Sequence, residues 1–154
     1  MQLLELTPAE IAFLAAPAAA SDGLRERVGG KLAATLSARL RLPVQLAAHP
    51  VDAPAAAPAA PHWLPDAALA TLWLTRRLGG RRVMGATPFV PPTLIQTLDA
   101  ALAESWLDAK AQATLSSAFA WRITAASTQA TLAVQLPHHT IDMTRWAREV
   151  IRHA

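Results

Sequence analysis

Leu24, Val28, Leu32, Leu36 and Leu40 recur at every fourth residue through LRERVGGKLAATLSARL, and this stripe constrains the fold more than any other feature. Apolar residues four apart share one side of a 3.6-residue helix. A helix from Ser21-Asp22 to about Arg41 is therefore predicted, with Ala34 and Ala38 near its apolar face. That face needs a second layer to cover it. Gly29-Gly30 interrupts the helix at a cost of about 1 kcal/mol per glycine relative to alanine, which points to a kink or a close helix contact there.

The covering layer is legible in a different period. Phe119–Ile123 and Ala130–Leu136 alternate apolar and polar residues around the turn residues Ala-Ser-Thr-Gln, the pattern of an antiparallel hairpin. Val44-Gln45-Leu46 alternates likewise after Pro43 and reads as a short strand. Further helices surround these strands. Thr7-Pro8-Ala9-Glu10 is a capping box opening a short helix that ends before Pro17. Pro65-Asp66 opens one carrying Leu69, Leu72, Trp73 and Leu78, stopped at Gly79-Gly80. Pro91-Pro92-Thr93 opens another, with Leu94, Leu98, Ala101, Leu102 and Trp106 on one face and an end near Ala113. A last amphipathic helix from about Ile141 to His153 groups Met143, Trp146, Val150 and Ile151. The expected fold is one α/β domain over residues 1–154, with helices packed on a mixed or antiparallel sheet. DAPAAAPAAP at 52–61 is low-complexity Pro/Ala and reads as a semi-rigid loop inside that domain.

Composition narrows the function. With no cysteine, a disulfide framework, a thiolate metal site and a cysteine nucleophile are excluded. The start MQLLELTPAEIAFL lacks a basic n-region and a long apolar run, and prolines and charges interrupt every apolar stretch. A soluble, cytoplasmic protein is expected. A formal charge of +3 with only two lysines falls short of the dense basic face of a nucleic-acid binder. Adjacent His138-His139 on extended chain point to opposite faces, and no histidine has a ligand partner at metal-site spacing. Asp99, Glu104 and Asp108 share a predicted helix without a base nearby, and Ser105, Ser116 and Ser117 lie in no nucleophile-elbow context. The expectation is a non-enzymatic binding module without cofactor or metal.

The remaining concentration of charge is WLTRRLGGRRVMG, residues 73–85. A phosphate-binding loop places a helix N-terminus after its glycines; here the helix precedes them and presents its partly negative C-terminal end. Arg76, Arg77, Gly79, Gly80, Arg81 and Arg82 read as a glycine-capped helix end or a protein-docking loop, with nucleic-acid binding through the same arginines as the alternative. Trp73 and Trp106 fall on apolar helix faces. Trp63 and Trp146 are the aromatic interface candidates, because exposed aromatics anchor partners.

The order of these segments carries a resemblance. Leu32–Leu46 (LAATLSARLRLPVQL) is similar to the "L…LS..LR.PV.V" segment in the middle domain of the flagellar motor switch protein FliM. LWLTRRLGG at 72–80 resembles that family's helix ending in "DRLLGG", and PTLIQTLDAALAESW at 92–106 resembles its next helix, ending in "L..AW". The family's acidic N-terminal peptide has no counterpart, and Pro-Phe-Val-Pro-Pro-Thr replaces its "LT.IE" signature. These departures suit the related cytoplasmic ring, or sorting-platform, protein of type III secretion injectisomes, SctQ or HrcQ. The resemblance implies a shortened CheC-like α/β domain without catalytic residues, the N-terminal part of a protein whose other half is β-rich. It further implies that the Gly-Gly loop docks on neighbouring apparatus proteins. Those would be the C-terminal ring domains, the ATPase stator, the membrane-side adaptor and effector–chaperone complexes, at the inner-membrane secretion apparatus.

Overall fold

The structure, a computed structural model, describes residues 8–51, 56–77, 90–108 and 117–153, with the side chains of 8–22 and 77 outside the description. Four helices and four strands are described in the order α1 (Pro8–Leu40), β1 (Val44–Ala48), β2 (His62–Pro65), α2 (Ala67–Arg77), α3 (Pro92–Asp108), β3 (Ala118–Ala125), β4 (Thr128–Gln135) and α4 (Thr140–Arg152). The strands form one antiparallel sheet in the order β1-β3-β4-β2.

The leucine stripe behaves as its period requires. Leu24, Val28, Leu32, Leu36 and Leu40 are all buried. The helix is longer than expected, 33 residues running through Pro17 where the sequence predicts a break. Proline removes one backbone hydrogen bond, while the alanines on both sides of it have the highest helix propensity. At the glycine pair, where a kink or a close helix contact is expected, the neighbour is a strand: a Cβ on Gly29 would meet the indole nitrogen of Trp121 in β3 at 2.9 Å.

Helix α1 ends in a tight reversal. Arg41 takes the left-handed conformation (φ 57°), and the Leu42 amide donates to the Ser37 carbonyl at 3.3 Å. This is the Schellman arrangement, with arginine where glycine is usual. The Ser37 hydroxyl then accepts the Val44 amide at 2.9 Å, turning the chain directly into β1.

Strand β2 has no clear sequence signal. It is four residues long and contains Pro65, which a sheet tolerates only at an edge, and an edge is where it lies. Because β1 occupies the opposite edge, the connection holding the Pro/Ala-rich loop must carry the chain across the sheet, about 14 Å for three strand spacings. Asp66 then serves two elements. One carboxylate oxygen caps α2 by accepting the Leu69 amide (2.9 Å), and the other accepts the amide (2.9 Å) and hydroxyl (3.1 Å) of Thr131 in β4.

The expected hairpin is β3-β4, with Ala126-Ser127 as a two-residue loop in place of four turn residues. Ala126 has φ 53°, the left-handed geometry at which primed hairpin turns favour glycine. Phe119, Trp121, Ile123, Ala125, Ala130, Leu132 and Val134 bury one face of the hairpin, and Val44 and Trp63 extend that face to the edges. Buried residues of all four helices join them in one core, among them Leu69 and Trp73 of α2, Leu98 and Leu102 of α3, and Met143 of α4. The opposite sheet face carries Gln45, Arg122, Gln129 and Thr131, all exposed. Ala118 and Ala120, on this same face towards the start of β3, are buried, so the sheet is solvated over the part nearer the β3-β4 turn. Among the described residues no helix is long and apolar enough to cross a membrane.

Candidate docking site

Of the arginines around the Gly-Gly pair, Arg76 is the one whose side chain is described. Gly79, Gly80, Arg81 and Arg82 lie outside the described residues, and Arg77 is described only as the last residue of α2. Arg76 has a structural task. Its guanidinium donates from Nε to the Leu40 carbonyl at 2.8 Å and from Nη2 to the Arg41 carbonyl at 3.1 Å. Those oxygens belong to the C-terminal end of α1, where acceptors are orphaned and the helix dipole is negative. Arg76 therefore ties the end of α2 to the end of α1. Charge-assisted bonds contribute about 1.5–3 kcal/mol when dry, and less here because the side chain is exposed. Replacing Arg76 by alanine is expected to lower stability by about 1 kcal/mol, which thermal unfolding followed by circular dichroism would register as a fall of roughly 2–4 °C.

The aromatic interface candidates also separate. Trp63, expected to be exposed, is 5% exposed, and the expectation is corrected on that point. Its ring stacks on Trp121 with centroids 6.5 Å apart at 26°, and its indole N–H donates to Asp99 of α3 at 2.8 Å. The partner that makes burial of the indole N–H affordable lies 36 residues further along the chain. Trp146 is half-buried on α4 and packs against the core. Two other tryptophans are held similarly: the Trp73 indole donates to Thr93 and the Trp106 indole to Thr144, each at 3.0 Å.

Burial pushes the Asp99 carboxyl above the ordinary aspartate value, and the Trp63 bond only partly opposes the shift. The folded state thus holds this proton more tightly than the unfolded chain. Stability from this group is full below the unfolded pKa and is lost as pH rises through the folded one. Asp99→Asn keeps an oxygen to accept the indole N–H and has no charge to desolvate. The variant should lack this component of pH dependence and be at least as stable as the parent at neutral pH. Urea midpoints of both proteins, compared from acid to neutral pH, check this.

The other polar candidates are spread through the fold. Glu104 pairs with Lys31 of α1 and holds that ammonium above its ordinary pKa. Asp108 is exposed, and Ser105 is 1% exposed with its hydroxyl unpartnered. His138 and His139 are both exposed, with ring centroids 6.4 Å apart. Among the described residues no three histidine, aspartate or glutamate side chains group closely enough to hold a metal.

Sequence reading missed the outward side of α4. Met143 and Ala147 are buried and Trp146 and Val150 half-buried, so the inner face is fixed. Opposite it, Ile141, Arg145, Arg148 and Arg152 form a line, with Ile141 69% exposed. An open groove of about 470 Å³ runs along this side, lined by α4 residues between Thr140 and Arg152. The four-three-four spacing of that line is visible in the sequence opposite the apolar group Met143, Trp146 and Val150, and the packing of α4 on α3 confirms that group as the inner side, with Ile151, expected in it, exposed.

No protein-family model, curated protein or solved structure matches this chain.

Proposed function

We propose that the chain is a non-enzymatic scaffold domain of a bacterial type III secretion cytoplasmic complex, binding other apparatus proteins. The supporting observation is where the three segments that resemble the switch-protein family lie. They are the end of α1 with β1, the end of α2, and α3, and α1 and α3 pack against each other. Arg76 then bonds the end of α2 to the α1–β1 turn, joining the first two of these segments. Asp66 at the sheet edge, Asp99 beneath Trp63 and Glu104 against Lys31 hold elements together, as do the indoles of Trp63, Trp73 and Trp106. Among the described residues, what this domain offers a partner is surface, on the outward sheet face and the outer side of α4.

The test is a nuclease-treated pull-down from the source bacterium with the native domain and with an Arg77→Glu, Arg81→Glu, Arg82→Glu variant. Arg76 is spared because its loss would weaken the fold. Recovery of secretion-apparatus proteins by the native bait, reduced with the variant, is expected. Equal recovery by both baits would move the contact away from the arginine loop. If no secretion protein is recovered and the domain binds duplex DNA with a steep salt dependence, the nucleic-acid reading replaces this one.

A further inference from the structure

We propose that the outward side of α4 is a docking surface for an acidic amphipathic helix of another protein. Ile141, Arg145, Arg148 and Arg152 follow one another at four, three and four residues, the spacing with which one helix meets another along a seam. The seam borders the open groove, whose lining contains three arginines and one acid, Glu149. Local pairing leaves positive charge over. Arg152 pairs with Glu149 at 3.1 Å and Arg145 reaches Asp142 at only 3.8 Å, while Arg148, between them, has no acidic partner among the described residues.

Opposite charges three or four residues apart support a solvated helix, and α4 has them at Asp142–Arg145, Glu149–Arg152 and, with His153 protonated, Glu149–His153. It also places like charges at 145, 148 and 152 and sets its most exposed large apolar side chain, Ile141, in line with them. Arginine near a helix C-terminus complements the dipole, which accounts for Arg152 and leaves Arg145 and Ile141 without that reason. The complement of the surface is a helix with carboxylates at the same spacing and an apolar residue opposite Ile141. Guanidinium forks would grip those carboxylates in bidentate fashion. The inner side of α4 is anchored independently, by Met143, Ala147 and the Trp106–Thr144 bond. The surface is therefore preformed, and docking need not reorder it. This inference stands on α4 alone and is unaffected by the fate of the secretion assignment.

The probe is a labelled alanine-based peptide with glutamates at the four-three-four spacing and one leucine in line, measured by fluorescence anisotropy on the full chain. A scrambled peptide of the same composition serves as its control. The patterned peptide is expected to bind at least about tenfold more tightly than the scrambled one, equivalent to ~1.4 kcal/mol. Arg148→Glu with Arg152→Glu should remove that binding, and a lysine version of the peptide should recover it on the variant. The milder pair Ile141→Ser and Arg148→Gln, checked for native circular dichroism, should also weaken it. Equal binding of both peptides, or binding indifferent to these variants, would overturn the proposal. So would failure of the peptide to bind where anionic phospholipid vesicles or duplex DNA do bind this face.

Discussion

Replacing Trp63 by alanine should cost about 3–5 kcal/mol of stability, the range for truncating a buried tryptophan. Three losses combine. The cavity opens beside Trp121, a stacked ring pair is broken, and the half-buried Asp99 carboxylate is left without its 2.8 Å donor. Small domains hold only about 5–15 kcal/mol in total, so this change alone brings the protein close to unfolding. Trp63→Phe separates the contributions in part: it retains a stacking ring while removing the N–H and the pyrrole part of the indole, for an expected cost of about 1–3 kcal/mol. Chemical denaturation of both variants measures the two values. Were Trp63→Ala to stay within about 0.5 kcal/mol of the parent and lose a partner instead, the exposed-anchor expectation would be restored.

Neighbouring glycines should respond to the same substitution with opposite signs. A Cβ on Gly30 meets nothing within 4 Å, so Gly30→Ala gains helix propensity and reduces unfolded-chain freedom, stabilising by up to about 1 kcal/mol. On Gly29 it would lie 2.9 Å from Nε1 and 3.3 Å from Cδ1 of Trp121. That indole has no room to retreat, since it is 2% exposed with Trp63 stacked on it and Phe119 tilted against it at 6.0 Å. Overpacking costs of about 1–3 kcal/mol outweigh the propensity gain, and Gly29→Leu should prevent folding. Thermal melts of the two alanine variants give the comparison. Stabilisation by Gly29→Ala would mean that α1 and β3 are not in this close contact.

How far the sequence anticipates the structure depends on whether a residue's fate is settled locally. The leucine stripe of α1, the apolar face of α3 and the β3-β4 alternation are repeated signals that elementary periodicity decodes. The glycine pair signalled a kink or a close helix contact, and what packs there is a strand: the Trp121 indole of β3 against Gly29, with nothing near Gly30. Strand β2 escaped notice because four residues with a proline give no period. Trp63 escaped because its burial depends on Asp99, and Arg76 because its acceptors are at the end of a different helix. Pro17 misled in the other direction, its local cost overruled by the helix on both sides. For the candidate site, the apolar group of α4 with Trp146 and the arginine seam opposite it were visible in the sequence, and tertiary packing confirmed the first as the inner side.

The strand order has a consequence for synthesis. The two strands made first, β1 and β2, are the edges of the sheet and never pair with each other, because the hairpin made last is inserted between them. While the ribosome is still producing α3, neither edge strand has a neighbour, and Trp63 lacks the surface that Trp121 will supply. Completion of the sheet therefore waits for residue 135 and then closes two long loops together, a slow kind of assembly. Until then the apolar sides of α1 and α2 have only one another and α3 for cover. Until the hairpin emerges, a nascent chain of this design is exposed to misassociation through those uncovered apolar sides.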